Sequence, residues 1–233
     1  RCRVEFSISV WMAEYQEKVE KIFGSRIWFI GLQGSYGRNE ASEQSDIDVV
    51  LILDQVSAED LHTYGKVLDS LPAREKICGF DSGKEELLNW DPSDLFQFCC
   101  DTTPVRGSLD KVREGVCSQD IRRAVHMGVC NIYHMCVHNM LHEKSIDILR
   151  GLYKSAVFTL QAIAFLQTGI YAKQKAELLS VLQGRDRDIL EKSMAIKAKE
   201  SISGAEQEEL SAVLLDWASK WICRCAADRK KDI

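Results

Sequence analysis

Proline is nearly missing from this chain. Its three prolines, Pro72, Pro92 and Pro104, all precede residue 105 in a sequence of 233, so none interrupts a helix in the second half. Long apolar runs are missing as well. No run approaches the roughly 20 residues that span a bilayer, and no signal-peptide pattern follows Arg1-Cys2-Arg3. A membrane partner is not expected. Basic charge is not in excess: the formal net charge is −5 and the pI about 5.6. That argues against a long nucleic acid as the main partner, because neutralising a phosphate backbone needs a basic surface. A small anionic ligand needs only local positive groups.

Cysteine, by contrast, is plentiful. The nine residues are odd in number, form no C-x-x-C and mostly lie inside apolar segments. Such thiols behave as small hydrophobes, and the pattern suits a reduced, cytoplasmic protein better than a secreted disulfide scaffold. No internal repeat or low-complexity segment is present. At 45% hydrophobic and 28% charged residues, the composition is that of an ordinary globular protein, long enough for one large or two small domains.

Apolar residues at Ile8, Met12, Tyr15, Val19 and Ile22 predict a helix over residues 7–24, closed by Gly24. Strands are predicted at 27–32, 47–53, 75–80 and 94–99, the last carrying Leu95, Phe96 and Phe98. Ser57 and Asp60 have capping-box spacing at the start of a helix that runs to about Leu71. A short helix begins near Ser82-Gly83-Lys84, and residues 102–108 read as a loop. Beyond about residue 117 only helices are predicted, at about 119–143, 146–168, 172–182, 186–199 and 205–227. The fold class is therefore α+β, a small mixed β-sheet domain over 1–115 and an all-helical bundle over 116–233.

The most informative stretch is Gly34-Ser35, ten residues, then Asp46-Ile47-Asp48. It lies between the apolar runs Ile27-Trp28-Phe29-Ile30 and Val49-Val50-Leu51-Ile52-Leu53, so it reads as strand, turn with a short helix, strand. Unpaired N–H groups at a helix start attract phosphate. Asp46 and Asp48, two apart on extended chain, point to one face and Ile47 to the other. Magnesium prefers such carboxylate and phosphate oxygens, and a carboxylate pair can hold two ions that serve the attacking and leaving oxygens. On this reading Asp46 and Asp48 are metal ligands and catalytic. Gly34, Ser35, Gly37 and Arg38 bind the nucleotide: Gly34 admits the triphosphate, Ser35 donates to it, Gly37 keeps the turn tight and Arg38 neutralises charge. A third carboxylate, as base or ligand, belongs on a neighbouring strand. Asp81 is the candidate, with Glu75 second.

Other groupings carry less. Cys130, His134, His138 and His142 form a column at a spacing of four, but share their helix with Met127, Ile132, Met135 and Leu141. An interhelical seam is the simpler reading than zinc. Trp217 and Trp221 read as packing anchors, Arg185-Asp186-Arg187-Asp188 as a solvated helix start. Asp101, Thr102 and Thr103 are either adjacent to the site or only a turn.

Gly34, Ser35, Asp46 and Asp48 complete the G-S, spacer, D-x-D signature, and with it residues 29–53 resemble the polymerase-beta-like nucleotidyltransferase superfamily. A domain of this kind followed by helices is similar in order to the bacterial aminoglycoside adenylyltransferases. The resemblance implies a small mixed sheet backed by helices, two Mg²⁺ ions, and ATP or another nucleoside triphosphate as substrate. It implies transfer of NMP, most simply AMP, to a hydroxyl of a small molecule such as an aminoglycoside-like antibiotic. The third acid of the superfamily comes from a following strand, where no h-E-h pattern stands out here. The alternatives are nucleotidylation of a protein hydroxyl and a catalytically degenerate nucleotide-binding module.

Overall fold

The computed structural model describes residues 6–229; Cys2 lies outside them. The chain divides into two compact units, Arg1–Gly115 and Val116–Ile233.

In the first unit, α1 (Ile8–Phe23) ends at Gly24, whose φ of 50° closes the helix. A 3₁₀ turn leads into β1 (Ile27–Leu32), followed by the single-turn helix α2 (Gly34–Gly37), β2 (Ile47–Leu53) and α3 (Ala58–Asp69). Helix α3 opens with the predicted capping box: Ser57 Oγ accepts from the Asp60 N–H at 3.1 Å, and the Ser57 N–H donates to Asp60 Oδ2 at 2.9 Å. Arg26 reaches the same carboxylate at 2.6 Å and holds it well below the usual carboxylate range. The unit continues with β3 (Ile77–Gly83), α4 (Lys84–Leu88), α5 (Pro92–Asp101), β4 (Thr103–Arg106) and α6 (Asp110–Arg113).

The four strands form one mixed sheet in the order β3-β2-β1-β4. β1 runs antiparallel to β2 and β4, and β2 runs parallel to β3. Ile30, Leu32, Ile47, Val49, Leu51 and Leu53 pack against Trp11, Tyr15 and Val19 of α1 and Tyr64 and Val67 of α3. Phe29, Val50 and Ile52, also buried, belong to the opposite face. There α4 packs on β3, and Phe98 of α5 lies against Phe80 with ring centroids 5.0 Å apart.

Two predicted elements change identity. Residues 94–99 are not a strand but the body of α5. Asp91 caps this helix by accepting from the Ser93 N–H at 2.9 Å, and Pro92 occupies its first turn, where a missing N–H costs nothing. Its buried Leu95, Phe96 and Cys99 follow helical rather than strand spacing. The fourth strand is instead Thr103–Arg106, predicted as loop. It pairs only with β1, at the sheet edge, so Pro104 is tolerated. The third strand also begins and ends later than predicted, at Ile77 and Gly83.

The second unit contains α7 (Ser118–His138), a π-helical turn over Asn139–Glu143, α8 (Ile146–Thr168), α9 (Lys175–Val181), α10 (Gly184–Ala198) and α11 (Gly204–Arg229). Helix α8 packs against α7 and α10, and α11 against α7. The α7–α8 approach is close: a Cβ at Gly128 would lie 2.6 Å from Thr159 Oγ1. Tyr153, fully buried, donates its hydroxyl proton to the Leu210 carbonyl at 2.9 Å.

Candidate active site

The candidate site lies at one end of the sheet, where β1 leaves and β2 enters. The β1–β2 ladder is extended by one bond beyond Leu32 and Val49, from the Gln33 N–H to the Asp48 carbonyl at 2.7 Å. This bond fixes the Gly34-Ser35 turn against the first residues of β2. Gly34 has φ +65°, and a Cβ built there would stand 1.9 Å from Asp48 Oδ2. The carboxylate of Asp48 therefore occupies the space that any side chain at residue 34 would take. Asp46, exposed, immediately precedes β2, about 7 Å along the chain from Asp48.

Helix α2 is a single turn. The N–H groups of Gly37, Arg38 and Glu40 donate to the carbonyls of Gln33, Gly34 and Ser35, while those of Gly34, Ser35 and Tyr36 belong to a first turn that has no intrahelical acceptors. The turn is braced by the segment joining α5 to β4. Gln33 Nε2 donates to Thr102 Oγ1 at 2.6 Å, and Thr103 Oγ1 donates to the Gly37 carbonyl at 2.9 Å. Arg38 Nη1 donates to both oxygens of Asp101, at 3.0 and 2.9 Å. Both partners are nearly enclosed, with side chains 12% and 9% exposed. Asp101, Thr102 and Thr103 thus all grip the turn, a role the sequence left open.

Two expectations for individual residues change. Arg38, expected to neutralise phosphate charge, is paired with Asp101 and lies 3.5 Å from Glu40. Asp81, predicted as the third catalytic carboxylate, is on the wrong face. β2 and β3 pair without a break from Ile47↔Ile77 to Leu53↔Gly83, with Asp48 opposite Cys78 and Leu51 opposite Asp81. Paired residues of a parallel ladder share a face, so Asp81 stands with Leu51 on the α1/α3 side. There it accepts the Tyr64 hydroxyl proton, and Tyr15 lies 2.7 Å behind Tyr64. Although Asp81 is open to solvent along the sheet edge, the surrounding protein pushes its carboxyl up to about 6, with the Tyr64 bond opposing the shift. Glu75 sits exposed in a 3₁₀ turn before β3.

The neighbour of Asp48 on β3 is Cys78, an exposed free thiol. Phe80 is the next β3 residue on that face, and its ring meets Phe98 and Trp90. Only the strand register reveals Cys78 as the neighbour of Asp48 and Phe80 as that of Val50. No composition or spacing signal singles them out.

Elsewhere, the rings of His138 and His142 lie 4.9 Å apart and His138 contacts Glu143 at 3.4 Å. Among the described residues no group of three or more His, Cys, Asp or Glu side chains is arranged to hold a metal ion. The eight cysteines described are all free thiols. No described helix is long and apolar enough to cross a membrane.

The glycine–serine turn locked over one aspartate of the D-x-D pair, on a small mixed sheet, lies within the segment that a nucleotidyltransferase family model matches. Residues 12–95 match the family model of the nucleotidyltransferase domain, and the protein is an enzyme of that type. Among solved structures, the chain is similar to spectinomycin adenyltransferase AAD(9) from Enterococcus faecialis, a structure containing ATP and spectinomycin. The TM-score is 0.59 at 10% identity, over 92% of this chain and 98% of that one. Identity this low speaks to a shared fold. No curated protein is significantly similar in sequence.

Proposed function

We propose that the chain moves a nucleoside monophosphate, AMP from ATP, to a hydroxyl of a small molecule. The observation that carries this reading is the fit of Asp48 into the space left by Gly34, which joins a phosphate-binding turn to a carboxylate ligand. The chemistry is assigned to the first unit, residues 1–115.

The donor set fits magnesium in part. Asp46 and Asp48 offer hard oxygen ligands, and a cation that arrives with a triphosphate brings phosphate oxygens and water to complete its shell. Bound there, it would neutralise charge on the triphosphate and on the departing pyrophosphate. The backbone at Gly34 and Ser35, with the Ser35 hydroxyl, donates to β- or γ-phosphate oxygens. Gly37 keeps the turn closed. Arg38, tied to Asp101, holds the turn in shape beside the phosphates. The acceptor oxygen then bonds to the α-phosphorus as the bond to pyrophosphate breaks.

A screen of the four nucleoside triphosphates with Mg²⁺ against a panel of hydroxyl acceptors, aminoglycosides included, tests this by pyrophosphate release. ATP-dependent release that requires both Mg²⁺ and an acceptor is expected. Absence of ATP·Mg²⁺ binding in calorimetry would overturn the reading.

A further inference from the structure

The face of β3 beside Asp48 suggests which hydroxyl is used. Cys78 stands directly across from Asp48 in the ladder, about 4.8 Å away at the backbone, where a carboxylate could take a proton from an attacking hydroxyl. A thiol is a poor hydrogen-bond acceptor. The one nearby β3 carboxylate, Asp81, faces the other side of the sheet and is held by Tyr64. Asp101, 6% exposed, is committed to Arg38. An alkyl alcohol therefore meets no β3 base, whereas a more acidic hydroxyl has less need of one.

The next residue on that face is aromatic. Phe80 lies about 7 Å along the strand from Cys78, and its ring packs on Phe98 at 5.0 Å and edge-on to Trp90 at 5.4 Å. Trp90 is 41% exposed, so part of its ring faces solvent. Exposed aromatic edges of this kind stack against planar ligands.

We infer that the acceptor is an aryl hydroxyl, a phenol, with its ring against Trp90 and Phe80 and its oxygen at the Cys78 end of β3. This rests on the nucleotidyl-transfer reading and narrows its acceptor. In the step, the phenolic oxygen bonds to the α-phosphorus, the α–β bridging bond breaks, pyrophosphate leaves and the phenolic proton passes to solvent. The same chemistry is carried by a free small phenol and by a tyrosine side chain.

The test follows pyrophosphate release from ATP·Mg²⁺ with phenol, 4-nitrophenol, benzyl alcohol, an aminoglycoside, and a tyrosine peptide beside its serine counterpart. Phenols are expected to react at least about tenfold faster than benzyl alcohol. The tyrosine peptide distinguishes a protein source from a small one. Trp90→Ala should raise KM for phenols severalfold at unchanged ATP affinity, with Trp90→Phe restoring much of it. Cys78→Asp should raise the rate with benzyl alcohol at least about tenfold, since a positioned base contributes about a hundredfold or more, while Cys78→Ser should not. Equal rates for alcohol and phenol, or a phenol KM unmoved in a folded Trp90→Ala protein, would overturn the inference. Transfer to aminoglycosides with none to phenols would overturn it while leaving nucleotidyl transfer standing; failure to bind ATP·Mg²⁺ would remove both.

Discussion

The Cα of Gly34 and the carboxylate of Asp48 share a space with no room for a methyl group: a Cβ on Gly34 would fall 1.9 Å from Oδ2. Gly34→Ala must therefore do two things. It places a side chain at φ +65°, which costs about 1–2 kcal/mol, and it displaces the Asp48 carboxylate. A modest fall in melting temperature is expected together with near-complete loss of transfer. Calorimetric melting and pyrophosphate release separate the two effects, and retention of full activity would show that the carboxylate position is unimportant.

Asp46→Ala combined with Asp48→Ala should abolish transfer. Calorimetric melting of the doubly substituted protein without metal checks that it still folds. A clear fall in melting temperature would mark the two aspartates as structural.

Asp81 is expected to affect stability and not transfer. Its carboxyl titrates at about 6 in the folded protein, above the ordinary value near 4, so the folded chain holds a proton that the unfolded chain has shed. The contribution of this group is then fully present below about pH 4 and is lost as pH rises towards 6. Asp81→Asn keeps an acceptor for Tyr64. It should melt higher than the parent at pH 7.5, match it near pH 4, and transfer at the parental rate.

The Arg38–Asp101 pair predicts a joint loss of stability and ATP affinity. Asp101→Ala takes from a nearly enclosed guanidinium the carboxylate that accepts two of its hydrogen bonds, with Glu40 still 3.5 Å away, a loss of about 2 kcal/mol. It also loosens the Gly34-Ser35 turn, so ATP affinity should fall along with chemical-denaturation stability. Unchanged ATP affinity would separate this pair from the site.

In the second unit, Asp186 Oδ1 accepts from Trp217 Nε1 at 2.7 Å and from Trp221 Nε1 at 2.8 Å. One carboxylate oxygen thus joins the start of α10 to two turns of α11. Asp186→Ala should cost about 2 kcal/mol, read from urea denaturation, with no effect on ATP binding.

The two central strands, the Ser57–Asp60 box and the long second-half helices were legible because each is written in local spacing or in a cap. Asp91-Pro92 carried an equally local helix signal, but the apolar Leu95, Phe96 and Phe98 resemble strand alternation when read alone. Pro104 concealed β4 because a proline is compatible with a strand only at an edge, and edges are defined by neighbours. The solvated helix start at 185–188 was legible, but not that Asp186 would meet residues 31 and 35 positions later.

By itself the sequence determined the strand–turn–strand around Gly34-Ser35 and Asp46-x-Asp48, because two short apolar runs and the glycine turn between them are properties of adjacent residues. Only the tertiary structure decided which distant side chains share that face. Parallel pairing of β2 with β3 has a register set by packing across the whole sheet, and a shift of one residue exchanges the faces. That register sets Cys78 beside Asp48 and Phe80 on the same face beside Val50, and turns Asp81 towards Tyr64.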